Sequence, residues 1–397
     1  MVTCYTVQVR FADAGDLYVS WRWTHALSEV GVTVIPQDQV GAAMAALAAA
    51  RPGDPAGGFT VYDTERALAE QLARTFVPYG LAFQLHQLYQ QGIRPLLRVQ
   101  PSPRIAQVPW ELLALDSAPE IRLLEVADVS VLAPASVVHA PGRTPRSWAA
   151  TRTLPVVAVL DPRVPGYGTG SRLGSVLGPV PSDAPLARQL AGYASAGRLV
   201  PAPPGGPFRR TDTDRAWLST ALTAGAGRLL YAGHVTAADP DSGQSEDARL
   251  HLACTDAHPG HAPALRGHRP LSAKDLLLDA DRWPVPGRVA LIACESGGDL
   301  RFGDALGLAA AMISGGAELV TSTRWSLPTD HAFALAGADP AAYPLREAIR
   351  AIDAAHESDD PVRALAGWQR ERLAAWRERR TVEHSPVLWG AFATLTV

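Results

Sequence analysis

Arg288-Val289-Ala290-Leu291-Ile292-Ala293-Cys294-Glu295-Ser296-Gly297-Gly298 is the stretch that decides the reading of the chain. Uncharged, mostly branched residues run unbroken into a thiol, a carboxylate and a Ser-Gly-Gly turn, with Pro284 and Gly287 just upstream. An apolar run this short, closed by Pro and Gly on either side, reads as a buried parallel strand. Cys294 then stands where the strand gives way to its loop, the edge at which open α/β sheets bind ligands. A thiol is kept there because it packs or because it reacts, and this stretch alone leaves both open.

A second run, Arg228-Leu229-Leu230-Tyr231-Ala232-Gly233-His234, has the same form and ends in an imidazole. Two strand ends, one carrying His and one Cys, supply the base and the nucleophile of covalent cysteine chemistry. The histidine precedes the cysteine by 60 residues (294 − 234). His before Cys is the caspase order, with a gap of about 50 there, whereas papain-like enzymes place Cys first.

Composition narrows the class. The 397 residues are 47% hydrophobic and 19% charged with a net charge of −3, so no basic excess is available to neutralise nucleic-acid phosphates. Lys274 is the sole lysine; arginine carries the remaining cationic charge. Cys4, Cys254 and Cys294 are too few and too scattered for a disulfide framework. No basic n-region with an apolar run opens the chain, and no run reaches membrane-spanning length. The expectation is a cytoplasmic, reduced protein that neither binds nucleic acid nor enters a membrane.

Along the chain, residues 5–11 and 16–23 alternate as a hairpin, with Trp21 and Trp23 on one core face. Helices are expected over 40–51 and, broken near Pro78, over 64–91; strands over 96–100, 121–126 and 129–133. Residues 139–146, rich in Pro and Gly, read as a linker between an N-terminal α+β half, 1–140, and a second half, 150–397. In the second half strands and helices alternate: strands at 154–160, 198–201, 228–234, 249–254, 288–293 and 318–323, and a closing apolar strand within 384–393. Gly166–Gly170 is a flexible loop, because Gly168 does not begin a Gly-x-Gly-x-x-Gly fingerprint: Leu173 stands where the last glycine belongs. His251, Cys254, His258 and His261 lack metal geometry, since positions 251 and 254 of a strand face opposite ways.

Four blocks together resemble the CHAT family of caspase-like cysteine peptidases. Val108-Pro109-Trp110-Glu111-Leu112-Leu113 is similar to its Pro-Trp-Glu-Leu block, and Tyr231-Ala232-Gly233-His234 to its histidine strand. Leu291 through Gly297 resembles its cysteine block, and Gly315 through Trp325 and Asp330, with Pro386–Phe392, its closing segments. The resemblance spans about 60–397. It implies an α/β caspase-like sandwich: a mostly parallel central sheet flanked by helices, preceded by a smaller half of silent caspase-like form. Three departures stand out: Val235 in place of a glycine after the histidine, Ile292 in place of a small polar residue, and Arg324 in place of an aliphatic one.

The resemblance implies amide hydrolysis through a thioester, with Cys294 as nucleophile, His234 as proton carrier and no metal or organic cofactor. Backbone N–H groups of Gly233, Val235 and Cys294 would hold the oxyanion. Asp161 would receive a basic P1 side chain, or Arg324 an acidic one, with Ile292 and Trp325 as further walls. The implied partners are a protein substrate and an activating or sensor protein, in a bacterial defence or signalling setting. Two rivals stay open: a catalytically quiet caspase-shaped scaffold, and an unrelated doubly wound protein in which Cys294 only packs.

Overall fold

The runs ending in His234 and Cys294 are strands, Arg228–Ala232 and Arg288–Ile292, buried at every residue. In the computed structural model, which describes residues 5–117, 120–202, 205–303 and 305–397, they lie within an eleven-stranded sheet. Cys4, and Asp304 at the start of an expected helix, fall outside the described residues. In chain order the strands are β1 (Thr6–Ala14), β2 (Asp16–Trp23), β3 (Ala26–Ile35), β4 (Leu96–Gln100), β5 (Asp128–Leu132) and β6 (Val156–Leu160). There follow β7 (Leu199–Val200), β8 (Arg228–Ala232), β9 (Arg288–Ile292), β10 (Leu319–Thr323) and β11 (Phe392–Thr396). Across the sheet the order is β3-β2-β1-β4-β5-β11-β10-β9-β8-β6-β7.

The run β1-β4-β5-β11 is parallel throughout, and so is β10-β9-β8-β6-β7. Between them β10 and β11 pair antiparallel, Leu319 opposite Thr396 and Thr323 opposite Phe392. The last strand of the chain thus joins two parallel blocks into one sheet. Helices cover both faces, which is the caspase-like sandwich that the family resemblance implies.

Strand alternation sorts the side chains into two cores. Ala290 and Ile292 of β9 pack on one face with Ile349 and Ile352 of the helix Pro344–Glu357. Val289, Leu291 and Ala293 pack on the other with Leu308 and Ile313 of the helix Leu308–Ser314. Register is fixed from below by two buried arginines, Arg228 and Arg288, which stand opposite each other at the strand starts. Arg228 Nε donates to Glu357 at 2.6 Å and its NH1 to Asp353. Arg288 donates to His356 O at 2.8 Å and Ser358 O at 2.6 Å, and lies 4.2 Å from the centre of the Trp148 ring. Cations at the carboxyl end of a helix are favoured by its dipole and by its unpaired carbonyls.

Several expected elements differ. Residues 121–126 divide into the strand Glu120–Arg122 and the helix Leu123–Val126, because Glu125 accepts the Arg122 N–H at 2.8 Å and starts a helical turn. Beyond Leu250 the strand expected over 249–254 stops, where His251 turns inward to His268 at 3.0 Å. Pro386 opens a helical turn, Pro386–Trp389, before β11. The expected linker is tied down: Arg143 donates to Ile313 O at 2.7 Å and Ala317 O at 2.8 Å. Trp21 and Trp23 do share a buried face, and both indoles donate to Gln84 Oε1.

Candidate active site at the ends of two parallel strands

Ala232 and Ile292 are register partners, and the Gly233 N–H donates to Ile292 O at 3.3 Å. His234 and Cys294 therefore both lie two residues beyond one register pair, on strands about 4.8 Å apart. Both stand in the loops that leave the same end of the two strands, beyond Ala232 and Ile292. Glycine is required at 233, because a Cβ there would stand 2.7 Å from Tyr231 Oη.

Tyr231 Oη lies 2.7 Å from His234 O and 2.9 Å from His251 O, its single proton shared between them. Behind it His251 Nε2 lies 2.9 Å from the Thr236 hydroxyl, His251 Nδ1 3.0 Å from His268 Nε2, and His268 Nδ1 2.6 Å from Cys254 O. The carbonyl can only accept, so every proton in this row points from Thr236 towards Cys254. Burial pushes His251 down to about 3 and lowers His268, keeping the row uncharged. His258, another of the His/Cys set, pairs instead with Asp214 at 3.1 Å.

The turn after Cys294 is stitched to β10. Ser296 Oγ donates to Leu291 O at 2.6 Å, the Ser296 N–H donates to Thr323 Oγ1 at 3.1 Å, and the Gly297 N–H to Thr323 O at 3.0 Å. Glu295 takes a left-handed φ of 50°, and its carboxylate meets Arg301 at 2.9 Å. Gly297 has no room for a side chain, since a Cβ would lie 2.4 Å from Ser322 Oγ.

Thiol and imidazole are not hydrogen-bonded to each other here. Cys294 Sγ lies 4.0 Å from Leu327 O, and His234 Nε2 lies 3.0 Å from Gly174 O. A carbonyl accepts, so Nε2 carries the proton and Nδ1 holds the lone pair. Burial raises the Cys294 thiol and lowers the His234 imidazole, and both shifts favour an uncharged pair.

Asp161 ends β6 in a left-handed φ of 51° and is 1% exposed. Its carboxylate accepts from the Ser175 hydroxyl and from the N–H groups of Val176 at 2.9 Å and Leu177 at 3.4 Å, and meets Arg209 NH1 at 3.4 Å. One loop thus engages His234 through Gly174 O and Asp161 through residues 175–177. Gly174 permits its tight turn, for a Cβ would lie 2.0 Å from Thr169 O. This loop escaped the reading of the sequence, where its glycines signalled only flexibility.

Arg324 stands elsewhere. It is buried, meets both oxygens of Glu111 at 3.0 Å, and donates to Gly390 O and Phe392 O. Its guanidinium is thereby fully engaged between the two parallel blocks, and Ile292 is buried in the core rather than lining an open wall. Trp325 is buried too, donating to Val387 O at 2.9 Å and tilted against Phe59. Its edge, with Glu295 and Ser326, borders a cavity of about 370 Å³ reaching Met44 and Leu47 of the N-terminal half. Val235 is not among the left-handed residues and pairs in a short antiparallel strand with Leu250, so its β-branch meets no strain of that kind. The Gly233 N–H is already donated to Ile292 O.

A larger cavity of about 1260 Å³ lies beyond the helix Pro344–Glu357, where arginines such as Arg350 and Arg372 mingle with Glu347 and Asp183. It holds neither Cys294 nor His234, and the chemistry of cysteine and histidine sits at the strand ends.

A family model of the CHAT domain matches residues 66–396. The chain belongs to the CHAT domain family. The CHAT match takes in β4 through β11 and contains every candidate residue above. Saccharomyces cerevisiae separase, crystallised with securin, is similar in fold, with a TM-score of 0.50 over 99% of this chain at 9% identity. A second structure of that complex gives a TM-score of 0.45 at the same identity. The CHAT chain spans only 30% of the separase chain, and at this identity the likeness is one of fold. No curated protein matches. No helix among the described residues is long and apolar enough to cross a membrane.

Proposed function

We propose that the chain is a caspase-like cysteine endopeptidase in which Cys294 attacks a peptide carbonyl and His234 carries the proton to the leaving amine. The observation that supports this most is the register of β8 and β9, whose paired ends Ala232 and Ile292 each stand two residues before His234 and Cys294. Attack breaks the carbonyl π-bond and forms a C–S bond. Collapse expels the amine, protonated by His234, and water then hydrolyses the thioester. Backbone N–H groups of Cys294 and Val235 would hold the oxyanion, each worth roughly 3–4 kcal/mol.

Asp161 would select a basic P1 side chain. It is buried at a strand end beside His234, whereas Arg324 is bound to Glu111. Like-charge repulsion and a buried unpaired carboxylate would reject an acidic P1. A peptide library varied at P1 tests this: preference for Arg or Lys is expected, and preference for Asp or Leu would overturn it.

The uncharged pair and the hold of Gly174 O on the imidazole support a resting state that an activator must convert. That activator would be a sensor protein of a bacterial defence or signalling system, as the family resemblance implies. The same observation favours the second reading, a quiet caspase-shaped scaffold. Cys294→Ala and His234→Ala should each abolish cleavage with little change in melting temperature, since members of a dyad act as a unit. Wild-type cleavage by Cys294→Ala would end the peptidase reading. Failure of a thiol-directed electrophile to label Cys294 in the presence of any partner would leave the scaffold.

A further inference from the structure

The four donors on Asp161 are not equivalent. Ser175 Oγ, Val176 N–H and Leu177 N–H all come from the loop that also engages His234. The fourth is Arg209 NH1 at 3.4 Å, whose side chain is 24% exposed against 1% for the carboxylate. Arg209 comes from a different segment. Phe208 bridges Leu160 in parallel, and the Arg209 N–H donates to Leu160 O at 3.1 Å, adding the segment along the end of β6. The next residue, Arg210, pairs with Asp212 instead. Arg209 holds a left-handed φ of 55°, an unfavourable conformation for a residue with a Cβ. Of the four donors it is a cation, reaches solvent and has one of the two longest contacts.

A buried carboxylate left without a cation is strongly disfavoured, while a guanidinium binds one best through two parallel N–H groups. The loop donors hold the carboxylate in place whichever cation completes its shell. A resident arginine keeps the empty site compensated, and only another cation can replace it without leaving Asp161 unpaired.

We propose that Arg209 is an internal stand-in for a substrate arginine, occupying a guanidinium subsite on Asp161 that an incoming alkylguanidinium must take over. This rests on the reading of Asp161 as the floor of the primary pocket. It makes selection for arginine an exchange of one guanidinium for another, and it lowers the apparent affinity of the resting chain.

The test uses agmatine, an alkylguanidinium, and calorimetry on the full chain carrying Cys294→Ala, which separates binding from catalysis. Arg209→Ala and the bulkier Arg209→Gln should each bind agmatine at least tenfold tighter than the parent, with the Gln variant deciding if the Ala variant does not fold. Equal or weaker binding in the folded variant would overturn the proposal. With Cys294 restored, an arginyl acyloxymethyl ketone should label Arg209→Gln several-fold faster than the wild type, while iodoacetamide labels both alike. Tighter agmatine binding without labelling by the arginyl probe would support the subsite and count against the peptidase. Labelling without any gain in agmatine binding would do the reverse.

Discussion

Burial acts on Cys294 and His234 in opposite directions with one result: the thiol is raised, the imidazole lowered, and the proton stays on sulfur. Burial holds the Cys294 thiol above the ordinary thiol range. The alkylation rate of Cys294 should therefore still be climbing at pH 9, with no plateau near neutrality. A plateau near pH 7 by mass spectrometry of the Cys294 peptide would show a thiolate already formed. An activator that aligns the pair should move the profile to lower pH. The sequence displayed both residues, because each closes an apolar run. It could not display their protonation, which burial in the folded chain sets, nor the tautomer of the imidazole, which Gly174 O, 60 residues from His234 along the chain, selects. The same blindness affected Arg324. Its partner Glu111 lies 213 residues away, so a structural ion pair looked like a pocket residue. Glu111→Ala leaves that guanidinium buried and unpaired and should cost about 3–5 kcal/mol in urea unfolding.

Among the elements, β8 and β9 were legible because a fully buried parallel strand is an unbroken apolar run with a turn at each end. The arginines that begin them read only as boundaries, since their partners lie in a helix more than a hundred residues on for Arg228 and about seventy for Arg288. The turn after Cys294 has a similar hidden support in Asp299. It is buried, accepts the Ala310 N–H at 2.9 Å to hold the helix Leu308–Ser314, and is pushed up to about 6 by burial. A carboxyl held above its unfolded value binds its proton more tightly in the folded chain. Stability is thus full below about pH 4 for this group and falls as pH rises through 6, by about 3 kcal/mol at neutrality. Asp330, also raised to about 6 by burial, acts with the same sign. Asp299→Asn keeps the acceptor for Ala310 without the charge. Its urea midpoint should match or exceed the wild type at pH 7, and its decline between pH 4 and 7 should be shallower. A midpoint well below the wild type at pH 7 would mean that the ionised carboxylate is the stabilising form.

At the scale of the whole molecule, the pattern of strands and helices gave the sheet, but not that its last strand would be the seam. β11 looks like any apolar run, and nothing local says that it pairs antiparallel with β10 on one side and parallel with β5 on the other. The helix Pro361–Arg379 crosses the same seam. Arg370 meets Asp128 at 2.9 Å, Arg377 meets Glu125 at 2.7 Å, and the Trp376 indole donates to Glu65 at 3.2 Å, all in the N-terminal half. Glu65 in turn grips the buried Arg122 through both oxygens. With a shared sheet, the buried Arg324–Glu111 pair and a helix all spanning the junction, residues 1–140 and 150–397 are expected to unfold together. A single cooperative transition is therefore expected, although a chain of this length often divides into independent units. Two buried reporters test it independently. The peptides of β1 and β4 report on the N-terminal half by pulsed hydrogen exchange of their amides, and Cys254, buried in the second, by the appearance of alkylation on its own peptide. The two curves should share one urea midpoint, and Glu65→Ala should move both together. Exposure of Cys254 at a urea concentration where the amides of β1 and β4 remain protected would show that β10 and β11 part first and that the halves are separate folding units.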